Sequence, residues 1–392
     1  MAHWQNWSGR LSSTPDQMAF IYSEEQAGAL AKAASEKAKS VRAVGAGHSH
    51  KELVADGDII VDLQALAGVM SVDESKGSAW VGGGSKIHTL GPALARHGLA
   101  LPNQGDIDQQ SISGATATGT HGTGATLQNL SSRVIGARIA LASGEVVECS
   151  KDQNNELWQA SRLHLGAFGL ITALELNCVP AYRLQEQSWK LPLGELLADL
   201  DSYVANNRHC EFFWYPQTDS ANLKVINTTD DAAQYPLGGE GQRCGWNYEV
   251  LPNHRPHLHT EMEYSVPASS GPACMQAIQN LLNTTFTDVR WPVEYRTLAA
   301  DDVWMSTAYQ RDTVTISVHQ GAELPDEAYY RACEEVFLEF DGRPHWGKCN
   351  YLSGTQLAGQ HTKWQGLVDD ARPSRPPGHV LKSVPEKHPA IT

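Results

Sequence analysis

Apolar and polar positions along the chain fall into short runs that switch repeatedly between helix-like and strand-like spacing. Ser23, followed by Glu24, Glu25 and an alanine-rich stretch to Lys39, predicts a capped helix. A serine hydroxyl satisfies backbone N–H groups at a helix start, and acidic side chains favour its positive end. Residues 41–44 predict a short strand, broken at once by Gly45-Ala46-Gly47. Residues 59–63 and 79–81 predict further strands, the second ended by Gly82-Gly83-Gly84, and residues 87–97 predict a helix stopped by Gly98. Ser143-Gly144 between β-rich runs at 133–142 and 145–149 reads as a hairpin turn, and residues 170–179 as a strand before Pro180.

From about Arg183 the texture changes: glycine becomes sparser, and aromatic and acidic residues rise, as in Phe212-Phe213-Trp214-Tyr215. Strand-like runs at 209–215 and 221–227 alternate with helix-like runs at 193–207 and 271–283, which predicts a second α+β unit. Residues 238–246 and 253–259 read as polar loops. After Gly342 a glycine-bearing segment returns and is expected to rejoin the first unit. The division is therefore 1–180, 181–340 and 341–392, the last with a proline-rich tail from Ala371 expected to be disordered. No internal repeat or coiled-coil period is visible.

Composition narrows the classes of function. With 41% hydrophobic and 19% charged residues among 392, the chain can bury a sizeable core. A formal charge of −14, with no dense basic cluster, argues against a nucleic-acid partner. The seven cysteines are scattered without metal-ligand spacing, which disfavours a disulfide framework and a structural zinc and fits a reducing compartment. The first residues lack a signal-peptide pattern and no apolar run is long enough to span a bilayer, so the cytoplasm is the expected location.

Two segments suggest chemistry. Gly45-Ala46-Gly47-His48-Ser49-His50 follows a strand, where glycines allow close backbone approach to a ligand. It lacks the third glycine of the dinucleotide fingerprint, and a tight turn with incidental histidines is equally compatible with it. Residues 111–124 carry only small or hydroxylated side chains apart from Ile112 and His121. Such a stretch suits a diphosphate cradle of N–H and hydroxyl donors, the alternative being a flexible linker.

Together these segments resemble the FAD-binding domain of vanillyl-alcohol-oxidase-type flavoproteins, over roughly residues 10–180. Gly166-Ala167-Phe168-Gly169-Leu170-Ile171-Thr172 is similar to that superfamily's last FAD-contacting stretch. The resemblance implies an α+β fold: a two-subdomain FAD-binding domain plus an α+β cap with an antiparallel sheet. It also implies FAD held by Ala43, Val44, Gly45, Ala46, Gly47, His48, Ser49, Ser111, Thr116, Gly119, Thr120, His121, Gly122, Thr123 and Ile171, with His48 as the covalent attachment point.

Gly342-Arg343-Pro344-His345-Trp346-Gly347-Lys348 resembles the signature of sugar-1,4-lactone oxidases and alditol oxidases. Glu294-Tyr295-Arg296, followed by Asp301, Asp302 and Trp304, is similar to that family's E-x-R strand. The resemblance implies oxidation of an aldonolactone, with alditol as alternative, and Lys348, Arg296 and Glu294 around the substrate. Molecular oxygen is the implied electron acceptor, a quinone or cytochrome the alternative. Ser111 is also implied to face substrate. Where alditol oxidases place a histidine, this chain has Ser317; His319 lies two residues on, on the same strand face, as proton acceptor, substrate ligand or packing residue.

Competing classes are a flavin-binding module without turnover and a metal-dependent enzyme using His48, His50 and the histidines at 254–259. For that last cluster the spacing fits no standard motif and no carboxylate stands suitably placed in sequence, so a solvated loop and no metal are expected.

Overall fold

The structure is a computed structural model describing residues 2–364; the expectation for the tail from Ala371 lies outside the described residues. Three sheets organise the chain. The first is parallel and three-stranded, in the order Gln17–Phe20, Ile59–Asp62, Val41–Val44. The helix Glu24–Glu36 supplies its crossover, capped by the Ser23 hydroxyl accepting from Gln26 N–H as predicted. Each strand ends in the loop that follows it, so the turn at Gly45–His50 projects from one end of this sheet.

The second sheet is antiparallel, in the order Val146–Ser150, Val134–Ala140, Leu170–Asn177, Ser78–Gly82, Val69–Asp73. Its hairpin turns at Ser143-Gly144, as the small-residue pair predicts. The helices Ile87–Ala95 and Ile112–Thr118 bury Ile87, Leu90, Leu94, Ile112 and Ala115 against it.

The third sheet has eight antiparallel strands: Cys244–Trp246, Arg183–Pro192, Ser220–Thr229, His209–Tyr215, Val293–Leu298, Thr313–Gly321, His259–Pro267 and Arg343–Pro344. Alternation of side chains along a strand gives it two unlike faces. Phe212, Trp214, Met262, Tyr264, Tyr295, Ile316 and Val318 point one way, into a core closed by the helices Gly271–Thr284 and Glu327–Glu339. Their neighbours Glu211, Glu261, Glu263, Glu294, Arg296, Ser317 and His319 are buried too, on the opposite face. A row of buried charges on a sheet otherwise built for packing requires partners, because an unpaired buried charge is costly.

Three local expectations change. The helix expected over 193–207 is two, Leu193–Ala198 and Leu200–Asn206, separated at Asp199. The loop at 238–246 contains the strand Cys244–Trp246, paired with Arg183–Gln185. The small-residue segment 111–124 opens with the helix Ile112–Thr118, capped by the Ser111 hydroxyl and ended by Gly119 at φ +77°. Beyond Gly342, Arg343–Pro344 joins the edge of the large sheet, and the helix Gly354–Gln360 packs Leu357 into a cluster with Phe168, Met305 and Trp346.

Candidate active site

Two cavities meet at the loop Gly45–His50. The first runs along Ala43–Ser49, Leu63, Gly84, Lys86, Ser111, Gly114, Ala117, Gly166, Gly169 and Ile171. Much of its wall is backbone. A Cβ on Gly45 would lie 2.3 Å from Ser111 Oγ, and one on Gly84 only 2.0 Å from the Leu63 carbonyl oxygen. These glycines thus let separate segments close around a cleft that larger residues would block. Lys86 adds a cation.

The expected FAD contacts divide on this geometry. Residues 43–49, Ser111 and Ile171 line the first cavity. Thr116, Gly119, Gly122 and Thr123 do not, because their groups are spent on internal structure. Thr116 Oγ1 donates to the Ile112 carbonyl at 3.0 Å, and Thr123 Oγ1 to the Cys210 carbonyl at 2.6 Å. Gly119 turns the chain, and a Cβ on Gly122 would meet Gln104 O at 2.3 Å. Thr120 and His121 line the second cavity instead. The cradle is therefore one face of a short helix, carrying Ser113, Gly114, Ala117 and Thr118, rather than a fourteen-residue loop.

The second cavity, of about 590 Å³, lies over the charged face of the large sheet. It shares His48, Ser49, Gln110 and Thr118 with the first. Its floor has two carboxylate centres. Glu263 accepts from Arg296 at 2.5 Å, from His121 Nε2 at 2.8 Å and from the Ser317 hydroxyl at 2.8 Å. Burial opposes its charge, but His121 and Arg296 hold its pKa well below the usual carboxylate range. Glu261, two residues earlier on the same strand, pairs with Lys348. Burial again opposes the charge, and the Lys348 ammonium holds the pKa of the group below the usual carboxylate range.

Glu294 lies 3.4 Å from Arg296, yet burial raises its pKa to about 8 against the pull of that guanidinium, with Glu211, Asp106 and Glu261 adding to the rise. A carboxyl shifted in this direction takes up a proton more readily, and in that form it can donate as well as accept a hydrogen bond. His319 donates Nδ1–H to the Pro292 carbonyl at 2.8 Å, which leaves Nε2 as the acceptor nitrogen. Burial lowers its pKa to about 4, so the ring is neutral.

All four expected catalytic residues, Lys348, Arg296, Glu294 and His319, thus come together in one cavity. Ser317 does not line it; its hydroxyl is committed to Glu263. Asp301 is also internal, accepting from Asn129, Ser306 and the Val303 N–H. Residues 254–258 form the expected polar loop, with His254, Pro256 and His257 exposed, but the loop also forms part of the cavity wall, and His259 opens the strand His259–Pro267. A carboxylate does accompany them, because Glu261 stands one strand repeat from His259.

Sequence reasoning missed Glu261, Glu263 and Trp7. The alternation His259, Glu261, Glu263 in a strand was a usable signal for the first two. Trp7 stacks on His48, ring centroids 5.1 Å apart at 16°, and its N–H donates to the Gly47 carbonyl at 2.8 Å. His48 Nδ1 is buried without a hydrogen-bond partner. Burial, with Lys348 and Lys86 nearby, lowers the His48 pKa to about 4. Among the described residues no helix is long and apolar enough to cross a membrane.

The chain is similar to known proteins along most of its length. A family described as D-arabinono-1,4-lactone oxidase matches residues 174–246 and 232–370, and one described as FAD binding domain matches residues 15–150. An L-gulono-1,4-lactone dehydrogenase of Mycobacterium tuberculosis is 34% identical, over 92% of this chain and 93% of its own. An alditol oxidase of a Streptomyces species is 28% identical over 95% of each chain. An L-gulonolactone oxidase of Scyliorhinus torazame is 26% identical over 89% of each. Among solved structures, a solvent-stable cholesterol oxidase superposes with a TM-score of 0.82 at 18% identity, covering 95% of this chain and 94% of its own; this likeness concerns the fold.

Proposed function

Since the chain belongs to the sugar-lactone oxidase family of FAD flavoproteins, we propose that its larger cavity oxidises an alcohol of an aldono-1,4-lactone. The observation that carries this reading is the wall shared by the two cavities, which sets the cofactor cleft directly beside the cavity whose floor holds Lys348, Arg296, Glu294 and His319. The cleft fits FAD: glycines such as Gly45 and Gly84 that no Cβ could replace, a lysine, and an imidazole whose Nδ1 is buried without a partner at its junction with the substrate side. Bound there, FAD supplies the hydride acceptor.

The protein's own groups do the rest. His319 Nε2 takes the hydroxyl proton. Lys348 and Arg296 stabilise the negative charge that develops on the substrate oxygen. Protonated Glu294 holds a substrate hydroxyl, and Ser111, on the cofactor side, helps to orient the bound pair. His48 is the point of covalent attachment, its ring orientation set by Trp7. The FAD-holding half corresponds to residues 1–180 and the substrate cap to 181–340. Seven unpaired cysteines support a reducing compartment, the cytoplasm. Molecular oxygen is the proposed acceptor; the dehydrogenase name of the M. tuberculosis relative favours a quinone or cytochrome as the second reading.

Acid precipitation of the purified protein tests the cofactor. A yellow pellet, lost in His48→Ala, is expected. Colour released to the supernatant would remove the covalent bond and keep FAD, and a colourless protein would remove FAD itself. A panel of aldonolactones and alditols, assayed for peroxide and for dye reduction, tests substrate and acceptor; inactivity on every lactone would end the lactone reading.

A further inference from the structure

His259 and Glu261 lie on one face of the strand His259–Pro267, and His319 is paired directly opposite Glu261 on the neighbouring strand. His50 enters from the cofactor loop, fixed by its N–H donating to the Gly347 carbonyl at 2.7 Å. One ligand atom from each of His50, His259 and Glu261 lies within 4.8 Å of the others. His319 falls outside that trio: it forms a second group with Glu261 and Glu294, sharing Glu261 with the first, and its Nε2 is 3.8 Å from Glu261 Oε1.

The orientation of these rings is specific. His259 donates Nδ1–H to the His257 carbonyl at 2.9 Å, and His319 donates Nδ1–H to the Pro292 carbonyl at 2.8 Å. Each therefore keeps its lone pair on Nε2, the outer-shell arrangement that orients metal-ligating histidines. His50 Nδ1 is buried with no hydrogen-bond partner. Lys348 occupies Oε2 of Glu261, and among the described residues Oε1 accepts no hydrogen bond. The neighbouring His121–Glu263–His345 group offers no such opening, because Arg296, Ser317 and His121 already saturate Glu263.

We propose that His50, His259, His319 and Glu261 bind one divalent ion of the zinc class within the larger cavity, and that the bound ion excludes the sugar substrate. Three imidazoles and one carboxylate form a nitrogen-rich set that suits zinc rather than magnesium or calcium. Ligand atoms on a tetrahedral zinc stand about 3.3 Å apart, so binding draws the four side chains inward. Exclusion follows because His319 and Glu261 line the same cavity, and this second half of the proposal rests on the lactone reading above.

Zinc titration of the purified flavoprotein by calorimetry tests the site. One equivalent that EDTA removes is expected, with affinity at least tenfold weaker in His50→Ala and in His259→Ala. Cys349→Ser, whose thiol lies 3.8 Å from the His50 carbonyl, should leave affinity unchanged. Flavin absorbance and circular dichroism certify each variant's fold, and His50→Gln replaces His50→Ala if the latter misfolds. Equal affinity in the histidine variants, loss of binding in Cys349→Ser, or no saturable binding below millimolar zinc overturns the site. Zinc should also raise the apparent KM for lactone without changing kcat. A saturated site with unchanged KM overturns the exclusion, while the calorimetric result stands whether or not lactones are substrates.

Discussion

The two cavities that meet at His48 are built on opposite principles. The cofactor cleft is largely backbone, made from glycines and small residues at the ends of strands and on one face of a short helix. The adjoining cavity is made of side chains, a floor of buried carboxylates, cations and imidazoles standing on one face of an eight-stranded sheet. The first depends on what is missing at positions such as Gly45 and Gly84, where an added Cβ would collide with Ser111 or Leu63. The second depends on pairing, since each buried charge is tolerated only with its partner. The difference teaches that the cleft is sensitive to added atoms and the cavity to removed ones.

The sharpest break of this contrast is Lys348→Met, which removes one cation from the floor. We expect kcat to fall by about 10²–10³ with flavin absorbance unchanged; normal turnover would take Lys348 out of the chemistry. Removing a charge from the saturated centre should show as stability instead. Glu263→Gln leaves Arg296 and His121 without their carboxylate, and chemical denaturation should report a loss of about 3–5 kcal/mol. On the cofactor side, Gly84→Ala forces a Cβ against the Leu63 carbonyl. A cost of about 1–3 kcal/mol with loss of retained flavin is expected, and a full flavin load would show that the cleft yields.

Acid should loosen both regions together. Burial lowers the pKa of His164 to about 4 and of His209 and His361 to about 3, from the ordinary 6.5. The folded state holds these rings neutral while the unfolded state protonates them, so their contribution is full above pH 6.5 and declines as pH falls toward the folded values. The melting temperature should therefore drop progressively between pH 6.5 and 4, and a flat profile there contradicts the assignment. The smallest effect belongs to Thr116→Val. Its hydroxyl serves only its own helix, so a cost of about 0.5–1.5 kcal/mol and an unchanged flavin load are expected.

The same contrast explains what could be read before the structure. Gly45–His50, the Ser23-capped helix and the hairpin at Ser143-Gly144 were legible because strand ends, caps and turns are local events. Lys348, Arg296 and Glu294 were legible through a family resemblance, not through spacing. The helical start of 111–124 was hidden, because a run of Ser, Gly, Ala and Thr carries no hydrophobic period to distinguish helix from loop. Glu261 and Glu263 were hidden for a different reason. Their roles come from Lys348, Arg296 and His121, partners far along the chain: strand register brings Arg296 near, while Lys348 and His121 arrive on segments outside the strands. His259 looked like loop polarity until the carboxylate beside it acquired a neighbour in His50.

The fastening of the cofactor loop also sets a timetable for biogenesis. Lys51 Nζ donates to the carbonyl of Asn350, 299 residues later in the chain, and His50 N–H donates to Gly347. At cellular synthesis rates that separation delays the partner segment by roughly 15 to 60 s after the loop has left the ribosome. During that interval the small parallel sheet can form, and the loop bearing His48 is held by Asn6 and Trp7 alone. Nascent chains that stop short of Gly347 accordingly lack both of these fastenings of the cofactor loop.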